Sequence, residues 1–248
     1  LEMVRQLDLG KFDFVAFSDQ DDIWLSEKLK RSIKFANETN AELVSTSLIA
    51  FWNNGKQKLI YECSKQTRFD YIFQGSGNGC TFLLRNSLYN DFRCFVLNHT
   101  ELIKDFYHHD WLVYIFVRCK NYKWAYLQDP TVLYRQHAHN EIGARGSIFS
   151  FIDRFNRIQN GWYGHQIKIA YNISYTIELS CSEKLVQPKH SIRNIKVTYL
   201  FYFLLNESRR CFRERVLLVS LFLLGLFPFK NVGKILGKPV ILQEDKDV

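Results

Sequence analysis

The sequence predicts an α/β fold followed by a helical carboxy-terminal region, and three observations carry that expectation. Short apolar runs alternate with helix-period stretches through residues 1–140. After residue 147 the strand pattern stops and long aromatic and apolar stretches replace it. The chain has 248 residues, 47% of them hydrophobic, which suffices for one sizeable core and excludes a disordered polymer.

The elements follow in order. FDFVAFS at 12–18 is short, apolar and aromatic, the pattern of a buried strand. Behind it, FSDQDDIW at 17–24 crowds Asp19, Asp21 and Asp22 into one turn. Ser26 is placed to cap a helix in which Leu29, Ile33 and Ala36 recur at helical spacing, with Lys and Arg opposite. LVSTSLIAF at 43–51 is the next strand, NNGK a turn, and 58–62 can pair back across it. GSGNG at 75–79 is a glycine-rich loop leading into a strand, CTFLLR, at 80–85. DWLVYIFVRC at 110–119 reads as a largely buried helix. Short strands at 124–128 and 131–136 are expected to be broken by Asp129-Pro130. Residues 148–180 read as a polar-aromatic helix, and apolar runs follow at 197–205 and 216–229, each shorter than the ~18–20 residues that span a bilayer. The expected division is therefore 1–146 and 147–248.

Net charge is +8, and residues 181–240 hold eleven Lys and Arg against three acids. That region is the candidate for an anionic partner. The six cysteines show no CxxC pair and read as free thiols in a reducing compartment. No secretory leader is recognisable, and the opening LEMVRQLDLG resembles the interior of a helix, as expected of a fragment.

Three places carry candidate chemistry. Open α/β sheets bind ligands at the carboxyl ends of their strands, where the DQDD turn falls. Closely packed carboxylates suit a hard divalent ion such as Mg²⁺ or Mn²⁺, with an Asx-rich turn ending a strand as the alternative. An EF-hand is excluded, because Trp24 stands where the loop needs glycine. Asp110, in HHDW at 108–111, heads an apolar helix whose amides favour its ionised form, so it can act as a base or as an ordinary N-cap. In YRQH at 134–137, Arg135 offers a donor fork for phosphate and His137 a metal ligand, unless both are simply solvated.

Taken in this order, FSDQDDIWLSEKL, QGSGNGCTFLLR, HHDWLVY and LYRQHAHNEIGA resemble the family 2 glycosyltransferases of the GT-A fold, in the bacterial rhamnosyltransferase-like branch. The resemblance covers about residues 10–146. It implies that Asp19 and Asp21 are the outer acids of a DxD motif contacting donor ribose and metal, supported by Asp22. It implies further that Asp110 is the catalytic base and that Arg135 and His137 close over the diphosphate. Gly75, Gly79, Thr81, His109 and Trp111 would then line the sugar and acceptor site. The reaction implied is transfer from a nucleotide sugar to a saccharide or lipid-linked acceptor with inversion. The first strand of that family, with its Tyr-Asn motif, is absent before Leu1, so an amino-terminally incomplete GT-A domain is expected.

Polysaccharide acceptors are often lipid-linked. Arg209, Arg210, Arg213 and Arg215, between two apolar runs, suit an interfacial helix at the inner face of the plasma membrane; a packed hairpin with solvated arginines is the alternative. No groove-reading or stacking motif for nucleic acid is present. Two other functional classes stay open here: a noncatalytic remnant serving as a membrane-bound interaction module, and a metal-dependent phosphohydrolase using the same acids.

Overall fold

The computed structural model describes residues 1–61, 65–136, 160–181 and 204–223. Within them, α1 (Glu2–Gln6) precedes β1 (Phe14–Ala16), β2 (Ile23–Trp24), α2 (Lys28–Thr39), β3 (Leu43–Trp52) and β4 (Gln57–Ile60). Then come α3 (Asp70–Phe73), a 3₁₀ turn (Gly79–Thr81), β5 (Leu83–Arg85), α4 (Asn86–Asn98), α5 (Thr100–Ile103), α6 (His109–Cys119) and β6 (Trp124–Gln136). Beyond these lie α7 (Trp162–Cys181) and α8 (Phe212–Leu223).

The strands form one mixed sheet in the order β1-β5-β3-β6-β2, with β4 paired to β3. β6 runs parallel to β3 along its whole length, whereas β5 and β4 share the opposite edge of β3 antiparallel. β3 is buried on both faces, since alternate residues point to opposite sides of a strand. Leu43 joins the large core built with α4, α6 and α7, while its neighbour Val44 packs with Ala36 of α2. Helices on both faces make this the layered α/β arrangement expected.

Several local expectations change. β1 is shorter than the apolar run, though Phe17 N–H still reaches Phe82 O at 3.1 Å beyond it. The α2 N-cap is Glu27, with no side-chain capping bond, so Ser26 does not cap it. Asp129-Pro130 does not break the last strand. β6 is continuous, and the register jumps from Thr46↔Leu127 to Ser47↔Pro130, so the extra residues bulge outward. A bulge is where a strand tolerates a residue without an N–H. The NNGK turn and the returning strand are as expected: Gly55 has φ 80 and Leu59 pairs with Ile49.

The arginines of the carboxy-terminal region differ from both sequence readings. Arg210 is 2% exposed, ion-paired to the fully buried Asp70 at 3.6 Å and stacked near the Tyr114 and Trp124 rings. Arg209 donates to Phe73 O at 3.1 Å, and Arg215 donates to the carbonyls of Arg209, Arg210 and Leu205. Only Arg213 of the four is exposed. These guanidinium groups satisfy backbone carbonyls and a buried carboxylate that would otherwise lose their hydration uncompensated. Ile167, Ala170, Ile173 and Ile177 of α7, together with Leu204 and Leu218, belong to the same core as α4 and α6. Among the described residues, no helix is long and apolar enough to cross a membrane. Among the described residues, Cys80 and Cys94 are free thiols.

Candidate active site

The acid turn lies at the carboxyl end of β1, beside the carboxyl end of β6. Asp19 is exposed, and Asp21 and Asp22 are half-buried. The structure brings together Asp19, Asp22 and Cys80, whose ligand atoms lie within 4.8 Å of one another; Asp21 is not in that group. Asp22 Oδ1 accepts from the Arg135 backbone N–H at 3.2 Å. Its other oxygen, Oδ2, is buried and makes no well-formed hydrogen bond, having only the weak thiol donor of Cys80 beside it. Burial raises the Asp22 carboxyl above its ordinary value, and the charges of Asp19 and Asp21 push the same way. Arg135 Nε donates to the Asp21 carbonyl at 3.2 Å, and its guanidinium lies over Phe51. The backbone and side chain of one arginine thus clamp this turn to β6. His137 lies outside the described residues.

The positive charge among the acids belongs to a residue that sequence reasoning left on the solvent face of α2. Lys28 is 2% exposed, donates to Cys80 O at 2.7 Å and lies over the Trp24 ring at 4.7 Å. Burial draws its ammonium down to about 8, while nearby Cys80, Asp22 and Asp19 favour the charged form. A signal was present in the sequence: a lysine in the first turn opposes the helix dipole, so its placement needs another partner.

The second half of the site is the glycine loop against α6. α6 starts at His109 with His108 as N-cap, so Asp110 is its second residue rather than its cap. Asp110 is half-buried, and its Oδ1 accepts from Trp111 N–H at 2.7 Å, which occupies one carboxylate oxygen in holding the helix start. Trp111 is buried, donates from Nε1 to Tyr71 O at 2.7 Å and packs on Phe106, so it anchors the helix from inside. Thr81 is also fully buried, closing the 3₁₀ turn through Asn78 O at 2.8 Å. His109 is exposed, with its ring 6.3 Å from that of Phe17 at the end of β1.

Two glycines let the loop approach. A Cβ on Gly75 would stand 3.3 Å from Trp111 Cα, and one on Gly79 would stand 2.7 Å from His109 Nε2 and 3.4 Å from Asp110 Cβ. The loop is held from below by Ser45 Oγ donating to Ser76 O at 2.9 Å. The next residue after Gly79 is Cys80, whose carbonyl accepts from Lys28 and whose Sγ lies within 4.8 Å of the Asp19 and Asp22 carboxylates. Adjacent Cα atoms are about 3.8 Å apart, so the acid turn and Asp110 meet across two consecutive residues.

These contacts predict unequal alanine substitutions. Gly75→Ala meets backbone atoms that cannot rotate away, and is expected to cost about 1–3 kcal/mol. Gly79→Ala meets the end of an exposed imidazole, so stability should fall by less while the His109 ring moves. Denaturant midpoints and the His109 imidazole resonances check both outcomes.

A mixed sheet layered between helices, with an acid turn at a strand end and an aspartate-headed helix facing it across a glycine loop, defines a partial GT-A-like fold. The chain is 37% identical over 169 residues to the dTDP-rhamnosyl transferase RfbG of Shigella flexneri. That match spans 68% of this chain and 58% of the relative, so the chain covers little more than half the relative's length. Over the matched residues the chain is thus rhamnosyltransferase-like. No protein-family model matches it. Among solved structures, it is similar to S. aureus TarS 1-349 in complex with UDP-GlcNAc, at 19% identity and a TM-score of 0.37, covering 81% of this chain and 58% of that one. TarS 1-349 solved without that ligand is similar at 15% identity and 0.33, covering 81% and 55%.

Proposed function

We propose that the protein moves a sugar, rhamnose by its relationship to the Shigella enzyme, from a nucleoside-diphosphate donor to a hydroxyl of a saccharide or lipid-linked acceptor, with inversion, in assembly of bacterial surface polysaccharide. The observation that supports this reading is the glycine loop, whose consecutive residues Gly79 and Cys80 lie beside Asp110 on one side and beside the acid turn on the other.

The residues fit a divalent cation. Asp22 has a buried oxygen with no well-formed hydrogen bond and its carboxylate stands beside that of Asp19, an arrangement a cation relieves. Burial and the Asp22 charge push the Cys80 thiol up, so it stays neutral and the two carboxylates are the hard oxygen ligands. Asp19 and Asp22 would hold the ion, with Asp21 close by in the same turn. When bound there, Mg²⁺ or Mn²⁺ supplies stabilisation of the negative charge that develops on the departing diphosphate. Arg135 fixes the turn that presents these carboxylates, and Lys28 offsets their mutual repulsion from beneath.

Asp110 uses one oxygen to hold its own helix, and the other is the base. The acceptor hydroxyl proton passes to that oxygen as the hydroxyl oxygen attacks the anomeric carbon and the bond to the diphosphate breaks. Displacement on the face opposite the leaving group inverts the configuration. For a lipid-linked acceptor, the exposed Phe212, Val216, Leu217 and Leu223 of α8 support residence at the inner membrane surface.

The test is donor binding with and without metal. Asp22→Asn is expected to lower donor affinity at least about tenfold in Mn²⁺ and to change it little in chelator, since removing one charge-assisted ligand costs about 1.5–3 kcal/mol. Asp21→Ala should have the smaller effect, and direct Mn²⁺ titration by electron paramagnetic resonance should show the same order. Equal loss in Mn²⁺ and chelator would remove the metal from the reading.

A further inference from the structure

We infer that Arg210, from outside the α/β layers, is a positioning residue that holds the glycine loop in the shape joining Asp110 to the acid turn. The inference rests on reading that loop as the bridge of the active site. Arg210 Nη2 donates to Gly75 O at 2.6 Å, and the same guanidinium is ion-paired with Asp70 at 3.6 Å. Asp70 begins α3, and Gln74 and Gly75 follow its end, so one guanidinium ties the two ends of this short segment together.

The rest of the segment is held by the same carboxy-terminal elements. Phe73 O accepts from Tyr163 of α7 at 2.7 Å and from Arg209 at 3.1 Å. Carbonyls at a helix end have no partner within the helix, and cationic donors are the favourable ones there. The register of Gly75 is set against α6, where a Cβ would stand 3.3 Å from Trp111 Cα, and four residues on Gly79 meets His109 and Asp110. A shift at Gly75 therefore propagates along a short covalent path to both halves of the site. Asp70 is shared with Tyr114 and Arg118 of α6, so the network fixes loop and helix relative to one another.

Lysine at 210 keeps a charge for Asp70 but lacks the planar fork that also reaches Gly75 O. In the full chain, Arg210→Lys is expected to make the amides of residues 75–80 exchange with deuterium about tenfold faster, with β3 and β6 unchanged. Where sugar transfer is measured, kcat should fall at least about tenfold while the donor KM stays within about threefold, because orientation and not binding is lost. The exposed Arg213→Gln is the control and should move neither. If Arg210→Lys does not fold, the pair Asp70→Asn with Arg210→Met removes the Arg210–Asp70 ion pair, keeps an amide oxygen at 70 facing Arg118, and should show the same loop exchange. Wild-type protection of residues 75–80 in both variants overturns the inference. If the wild-type chain transfers sugar from no nucleoside-diphosphate donor, the functional reading falls, and the exchange result still decides the role of Arg210.

Discussion

Asp110→Asn is expected to lower sugar transfer by about 10²–10⁴-fold while leaving metal-dependent donor binding nearly intact. The substitution suits the test because of what the carboxylate already does. Its Oδ1 accepts from Trp111 N–H, and an amide oxygen accepts that bond equally well, so the start of α6 is preserved. What the amide lacks is a basic oxygen to receive the acceptor's proton. The proposed donor-side groups, Asp19 and Asp22, belong to another segment, beside Cys80 and not part of α6. Steady-state transfer and donor titration in Mn²⁺ check the result. Parallel loss of binding and transfer would mean that Asp110 shapes the donor pocket and is not the base.

Asp70→Ala should be the most destabilising single change, lowering unfolding free energy by about 3–5 kcal/mol. Asp70 is fully buried, accepts from Tyr114 Oη at 2.7 Å and from Arg118, and is ion-paired with Arg210 at 3.6 Å. Alanine leaves two guanidinium groups, nearly all of Arg210 and most of Arg118, without their shared anion in a dry interior. Domains are typically stable by about 5–15 kcal/mol, so a loss of this size consumes a large share. Asp70→Asn should cost less, because its one amide oxygen still accepts from Tyr114 or from Arg118, which bond to different oxygens of the carboxylate. Urea midpoints at constant m-value decide it; a midpoint near wild type for Asp70→Ala would mean that the arginines find other partners.

Much of the candidate site was legible because its residue types fall in contiguous motifs. The acid turn, the glycine loop, Asp110 and Arg135 each stand out as residue types at a predicted strand or helix end. Lys28, Arg210 and Asp70 did not, because each looks like an ordinary surface charge in a linear reading. Their burial depends on partners 52, 140 and 48 positions away, at Cys80, Asp70 and Arg118. The arginine cluster shows the hazard most plainly. Basic residues between apolar runs match the pattern of a membrane-facing helix, yet three of the four turn inward to carbonyls and a buried acid. Trp111 and Thr81, which the resemblance assigns to the sugar site, are buried, the one packing on Phe106 and the other closing the 3₁₀ turn.

By itself the sequence determined the α/β alternation, the strand that returns across NNGK, and the places where carboxylates end a strand or head a helix, because hydrophobic period and turn chemistry act over a few residues. Only the tertiary structure decided which acids stand together, Asp19 with Asp22 beside Cys80, and which cation lies under them. It also decided that the carboxy-terminal Arg209 and Arg210 turn inward to the carbonyls of Phe73 and Gly75. Those outcomes follow from desolvation: a charge removed from water takes the nearest partner that folding supplies, and that partner is set by distance in space, not along the chain.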